Sequence, residues 1–423
     1  MDYKLYNMDN YNLYFLKTKK FKTISLSIRF RKEKEKKDAV YACILKEVLK
    51  AGTKNYKKIN EYYKARLNLY NPSIKIGISN YGKSRTFLIN GKFTNEKYTE
   101  KGMNKKTLEF IFNILYNPKA NKKQFDSELF DICKHNYIEA LKAAKDDHFK
   151  YATDRLWEEM SVYDFKVLNN EEAITLAEKI TAKDLYNYYL SLFEENSLDI
   201  FIVGDFDFQN TKNLINKIVK GNFKKSTKNK CINYTKKEKT KEIIEELKTN
   251  QSQMAIGLKF LNLTDFQRKY VSIFYTSILG GGWSSKLFQV VREQNSLCYY
   301  IGASRSISHS VFFINASIDA KDYRKALKLI KQQLASMAKG EFEEKDIKQV
   351  KQVYLNSLLE IKDNQTMFMN NLIDVVLSDN DSIIDRQKNI EKINKKLIID
   401  LANKVYIDTI YFLKGVDNDK AEN

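Results

Sequence analysis

His135, His148 and His309 are the chain's whole stock of imidazole, and none lies three or four residues from another. No helix can therefore present two of them to one metal ion. Cys43, Cys133, Cys231 and Cys298 are equally scattered, without a Cys-x-x-Cys pair. That spacing gives neither a zinc knuckle nor a disulfide framework, and it reads as reduced thiols in a cytoplasmic protein. Cys43 and Cys298 sit among apolar neighbours, which predicts buried structural thiols and not nucleophiles. No Gly-x-Ser-x-Gly elbow occurs, so a serine-hydrolase nucleophile is not expected. Gly280 to Gly282 could cradle a phosphate, but Trp283-Ser284-Ser285 follows where that loop needs Gly-Lys-Ser/Thr. A tight turn is the better reading, with Ser284 or Ser285 capping the next helix.

Two stretches remain. Residues 43 to 53 read Cys43-Ile-Leu-Lys46-Glu47-Val-Leu-Lys-Ala-Gly52-Thr53, an amphipathic helix ending on a Gly-Thr turn. The second runs Leu279-Gly-Gly-Gly282-Trp283-Ser-Ser285-Lys-Leu-Phe288-Gln-Val-Val-Arg292-Glu293-Gln-Asn-Ser-Leu297-Cys-Tyr299-Tyr300. Its guanidinium at Arg292 and phenol at Tyr299 can both donate to carbonyl oxygens of an extended peptide. By residue type alone, Arg292 could equally pair with Glu293 and Tyr299 could pack in the core. Tyr300 is the alternative phenol.

The elements that must position these residues occur twice. Alternating Ile24, Leu26, Ile28 and Phe30 form a strand, followed by a helix and Gly52; Met254, Ile256, Leu258 and Phe260 lead likewise to Gly280. A second landmark closes each half. A helix opens at Thr181 and a strand ends at Val203-Gly204-Asp205; the counterpart opens at Asn394 and ends at Gly415-Val416-Asp417. Thr181 and Asn394 are good N-cap types, and Thr181 with Asp184 approximates a capping box. A duplication of about 210 to 230 residues is too long for a solenoid repeat and describes two homologous domains. We place them at 1–220 and 251–423, with 221–250 a charged linker that includes an edge strand. Helices are predicted at Tyr323–Lys339, stopped by Gly340, and from Glu343 to about Ile361. Val311–Ile318 reads as a strand. The expected class is α+β, each domain a mostly antiparallel sheet with helices packed on one face.

Taken together these stretches resemble peptidase family M16, which includes pitrilysin and the mitochondrial processing peptidases, over nearly the whole chain. The family's zinc helix carries His-x-x-Glu-His. Aligned on the Gly-Thr turn, its two histidines fall on Cys43 and Glu47, and its catalytic glutamate falls on Lys46. Glu139, on a helical stretch flanked by His135 and His148, lies within about a residue of the third ligand position. A lysine supplies no proton acceptor at neutral pH and brings positive charge toward a cation. The resemblance therefore implies a degenerate metal site and no catalytic residue. It also implies that Arg292 and Tyr299 hold the substrate backbone from the C-terminal domain. M16 heterodimers often pair such a chain with a zinc-bearing paralogue, and this one is most similar to the bacterial YmfF-like group, associated with peptide processing and with modification of elongation factor P. The expected partners are that paralogue and an extended peptide, with zinc only in the paralogue. The alternative is a non-enzymatic homodimeric peptide-binding scaffold or assembly factor.

A net charge of +20 would reward binding to a polyanion. Acidic residues are interspersed almost everywhere, however, and a chain poor in proline and rich in Lys, Asn and Ile has the bias of an AT-rich genome. A solvated basic surface without specific nucleic-acid recognition is the expectation, and an acidic protein partner is the other reading. Apolar runs such as Val271 to Leu279 fall far short of about 18 residues, so no membrane span is expected. Met1-Asp-Tyr-Lys lacks the layout of a secretory signal.

Overall fold

The computed structural model describes residues 3–56, 58–160 and 168–416. Contacts divide it into two compact units. Unit 1 takes Met1–Lys142, Leu168–Asn229 and Glu360–Asp379; unit 2 takes Ala143–Val167, Lys230–Leu359 and Asn380–Asn423. Along the charged run the division falls between Asn229 and Lys230. Each half of the sequence thus lends a helix to the unit built mainly from the other.

Unit 1 is built on a six-stranded sheet. Its strands, in spatial order, are β1 (Lys4–Asn7), β2 (Asn12–Lys17), β8 (Ser197–Gly204), β3 (Thr23–Glu33), β5 (Ser84–Thr94) and β4 (Ser73–Tyr81). Only the β2/β8 pair is parallel among these. The predicted alternation holds, because Ile24, Leu26, Ile28 and Phe30 of β3 are all buried in one core. Over that face pack α1 (Asp38–Lys50), α2 (Ile59–Leu67), α3 (Met103–Tyr116), α4 (Ser127–Lys142), α6 (Asn170–Lys179), α7 (Ala182–Ser191) and α8 (Phe208–Ile218). A short hairpin, β6 (Ala120–Asn121) and β7 (Gln124–Phe125), joins α3 to α4. On the opposite face Tyr14, Leu16, Phe201 and Val203 meet Met369, Leu372, Ile373 and Leu377 of α12 (Gln365–Leu377).

Unit 2 repeats the plan with five strands: β11 (Cys298–Ser306), β12 (Val311–Ile318), β10 (Ser252–Phe260), β13 (Val405–Val416) and β9 (Lys241–Lys248). Here β9, the end of the charged run, is an edge strand parallel to β13. Its Lys241, Glu242, Glu245, Glu246 and Lys248 put charge along the sheet edge and keep it soluble. The core forms beneath α9 (Ser272–Gly280), α10 (Tyr323–Lys339), α11 (Glu344–Ile361), α13 (Ile383–Glu391) and α14 (Lys395–Ala402). The other face takes Tyr151, Ala152 and Leu156 of α5 (His148–Glu159), with Met160, against Ala255, Phe313, Tyr411 and Leu413.

The duplication is therefore structural. The run β3–β5–β4 in unit 1 matches β10–β12–β11 in unit 2, all antiparallel. The predicted caps form: the Asp184 N–H donates to the Thr181 hydroxyl at 3.2 Å, and the Leu397 N–H to the Asn394 side chain at 3.1 Å. Asp417 lies outside the described residues. Among the described residues no helix is long and apolar enough to cross a membrane.

Candidate functional site

Helix α1 turns Val40, Ala42, Ile44, Leu45, Val48 and Leu49 into the core. Gly52 follows it at φ +111°, a conformation that favours glycine at a helix end. The spacing leaves Cys43, Lys46, Glu47 and Lys50 as one stripe along the outer side. Cys43 is half-buried, where the sequence suggested full burial, because it sits at the margin of that stripe.

The stripe holds no metal chemistry. Glu47 is 3.0 Å from the ammonium of Lys46 and 3.0 Å from that of Lys50. Burial alone would raise the Glu47 carboxyl, but those ammonium groups outweigh it and hold it below its ordinary value. Burial pushes the Cys43 thiol up despite Lys46 and Arg85 nearby, so it stays protonated and is a poor ligand. From α4 the residues beside this stripe are Cys133 and Tyr137. Burial pushes Cys133 up to about 11, with Glu47 adding to it; Tyr137 is raised by burial and then by Cys43. Glu139 instead faces solvent and pairs with Lys142 at 2.9 Å. The residues at the zinc positions therefore do not fit the ion, and among the described residues no group of three His, Cys, Asp or Glu side chains could hold one.

The histidines also lie apart. His135 is exposed on α4, and His148 Nδ1 meets the Thr249 hydroxyl at 3.1 Å. His309 differs from the other two in its surroundings. It is buried, with Nδ1 at 2.7 Å from the Ser306 hydroxyl and 3.0 Å from that of Ser308, and its ring meets Trp157 edge-on.

In unit 2 the glycine turn is set by packing. A Cβ on Gly280 would come within 2.9 Å of the Ala303 backbone nitrogen, and Gly282 adopts φ +131°. Neither serine caps the following helix, contrary to the sequence reading. The Ser285 hydroxyl turns back to the Gly282 carbonyl and closes the turn, and Ser284 accepts from Gln349. The helix passes into a π-helical turn at Phe288–Gln294, a local widening found often at functional sites. Arg292 lies in this turn, its guanidinium 4.9 Å from the Phe288 ring centre and its Nε 3.9 Å from Glu293. The side chain is 42% exposed, so the pair with Glu293 does not lock it away.

Strand β11 then begins with a bulge between Cys298 and Tyr300. The extra residue breaks the in–out alternation, and both Tyr299 and Tyr300 face outward, 65% and 47% exposed. Neither is a core tyrosine. Cys298 is buried, which pushes its thiol up to about 11, and the Arg292 charge partly opposes that rise. Arg292 thus lies close to Cys298 at the start of β11, an edge strand of its sheet in which the next two residues are the exposed tyrosines. The π-turn and the bulge that set this arrangement have no marker in the sequence pattern.

Comparison with known proteins agrees with this picture. The model of the peptidase M16 inactive domain matches residues 179–354. The probable inactive metalloprotease YmfF of Bacillus subtilis (strain 168) is 29% identical over 412 residues, covering 96% of each chain. A conserved protein from Enterococcus faecalis V583 superposes with a TM-score of 0.87 at 22% identity over 97% of both chains. The peptidase M16 inactive domain from Pseudomonas fluorescens gives 0.78 at 13% identity, over 98% of this chain and 99% of that one. Residues 179–354 thus match the M16 inactive domain, and over nearly its whole length the chain is similar to inactive M16-type metalloproteases such as YmfF and shares their fold.

Proposed function

We propose that this chain is the non-catalytic subunit of a cytoplasmic M16 heterodimer. In this reading it binds an extended peptide and completes the active chamber of a zinc-bearing paralogue, in peptide processing or in a pathway tied to elongation factor P modification. The observation that supports it best is the pairing, in unit 1, of a degenerate metal stripe with an open strand edge. Strand β4 is nine residues long, carries no proline and is the last strand of its sheet. Asn80 near its end accepts from Arg85, whose charge reaches Cys43 of the stripe. An edge strand presents a row of free N–H and C=O groups, and an extended peptide can extend the sheet through them. The opposite edge, β1, has only four residues. Arg292 and Tyr299 are exposed donors suited to carbonyl oxygens, and they are what the chain would lend to its partner's site.

Alternate N-methylation of a bound peptide tests strand addition. Methyl groups on the amides that face β4 should weaken binding by about tenfold or more, since each lost hydrogen bond is worth about 1 kcal/mol. Methylation in the opposite phase should leave affinity unchanged. Equal loss in both phases, or none in either, would exclude pairing with a sheet edge.

A further inference from the structure

Two features of unit 1 lie in one row that leads to the β4 edge. The first is Arg29. It projects from β3 on the face away from the main core and crosses β5, so that Nη2 reaches the Ser79 hydroxyl of β4 at 3.3 Å. Its other contact is Nη1 to the Ser27 hydroxyl at 3.5 Å, and its buried Nε has no partner. The neighbouring Arg31 takes Asp199 for itself at 2.9 Å. Burial and then Arg31 pull the Arg29 guanidinium down to about 10, and the charges of Asp374 and Asp199 oppose that fall. A half-buried guanidinium with two long bonds to hydroxyls and a buried Nε without a partner keeps donors to spare for an anion.

The second is Gly77. Register places Arg29 opposite Leu88 and Leu88 opposite Gly77, so the three lie in one row on one face of the sheet. Glycine inside a strand weakens it and often marks a bulge or the close approach of a ligand. Here the β4/β5 register has no bulge and Gly77 has no positive φ. A Cβ there would meet nothing closer than Leu88 Cδ1 at 3.4 Å. Neither backbone nor packing requires glycine. Its effect is to leave the β4 position of this row without a side chain, so that Leu88 alone stands beside the way from the open edge to Arg29.

We infer that the β4 edge selects a peptide strand bearing a glutamate, whose carboxylate passes over Gly77 and is held by Arg29 with the hydroxyls of Ser27 and Ser79. This rests on the peptide-binding reading above and adds a specificity to it. Adjacent strands lie about 4.8 Å apart, and Arg29 already spans the distance from β3 to β4. One spacing is left to an added strand, a distance a glutamate side chain covers and an aspartate barely does. Glutamate is therefore the preferred acid.

The test uses the purified full chain and a series of otherwise neutral strand-forming peptides in which one glutamate, or one glutamine, is moved along the sequence. One position should favour glutamate over glutamine by about tenfold or more, as a charge-assisted bond replaces a neutral one. Arg29→Met should erase that preference by weakening the glutamate peptide about tenfold more than the glutamine peptide. Gly77→Val, on the exposed edge, should erase it too by filling the path, and it decides the matter if the arginine variant does not fold. Equal binding of the two peptides at every position overturns the inference while leaving the peptide-binding reading intact. So does a glutamate preference of the same size at all positions, which net charge alone would give, or one that survives both substitutions. If no peptide of either kind binds the wild-type chain, the peptide-binding reading falls and this inference with it.

Discussion

Replacing Asp199 with alanine is expected to destabilise unit 1 by about 3–5 kcal/mol, the usual cost of leaving one member of a buried ion pair unmatched. Asp199 and Arg31 are 0% and 4% exposed at their side chains. Arg31 donates to Asp199 through Nε at 3.2 Å and Nη2 at 2.9 Å, and Ser226 and Asn12 donate to the same carboxylate at 2.8 and 3.1 Å. The same guanidinium fixes the first part of the charged run, bonding the Thr227 carbonyl at 2.9 Å and Asn229 at 2.8 Å. Asp199→Ala should therefore lower the urea midpoint and also speed tryptic cleavage after Lys224, Lys225 or Lys228. Exchanging both charges, Arg31→Met with Asp199→Leu, should recover much of the urea midpoint, since an apolar pair leaves no charge unmatched. It should not restore protection of the run, because its anchor is gone. A cost below about 1 kcal/mol for Asp199→Ala would contradict this account of the pair.

Arg292→Ala should act the other way, on function and not on folding. The side chain is exposed and its contact with Glu293 is long, and such a pair is worth well under about 1 kcal/mol. The fold and any complex should survive. If Arg292 donates to a substrate carbonyl in the closed chamber of the heterodimer, its loss should reduce kcat/KM for peptide cleavage by about a hundredfold, the scale seen for removing one such donor. Arg292→Lys should recover part of this, because it keeps the charge and loses the planar fork. Tyr299→Phe should cost less, removing one neutral donor. Unchanged turnover of the assembled pair carrying Arg292→Ala would remove the shared-site role.

The parts of the molecule legible in the sequence are the locally determined ones. Thr181 and Asn394 bond to groups three residues away, and the alternation of β3 and the left-handed Gly52 and Gly282 are properties of short segments. The Lys/Glu pattern of β9 announced an edge. What the pattern could not give is the choice of distant partner. The amphipathic faces of α5 and α12 show that both helices pack, but not that each covers the back of a sheet built by the other half of the chain. Glu139 illustrates the same limit, since its position along α4 is close to that of the third ligand while its direction is toward Lys142 and solvent. His309, buried by Trp157 and two serines, had no apolar periodicity to mark it. Gly77 did leave a signal, a glycine between Ile76 and Ile78 in an alternating strand; its meaning needed the register that sets it in line with Arg29.

The central claim is that this chain works as the metal-free half of a pair. The most direct measurement is to isolate it under native conditions, weigh the intact complex by mass spectrometry and determine its zinc. The account predicts one copy of this chain with one paralogue carrying His-x-x-Glu-His, and one zinc per pair that is lost when the paralogue is removed. Recovery of this chain alone or as a homodimer, or zinc that stays with it after separation, would contradict the account.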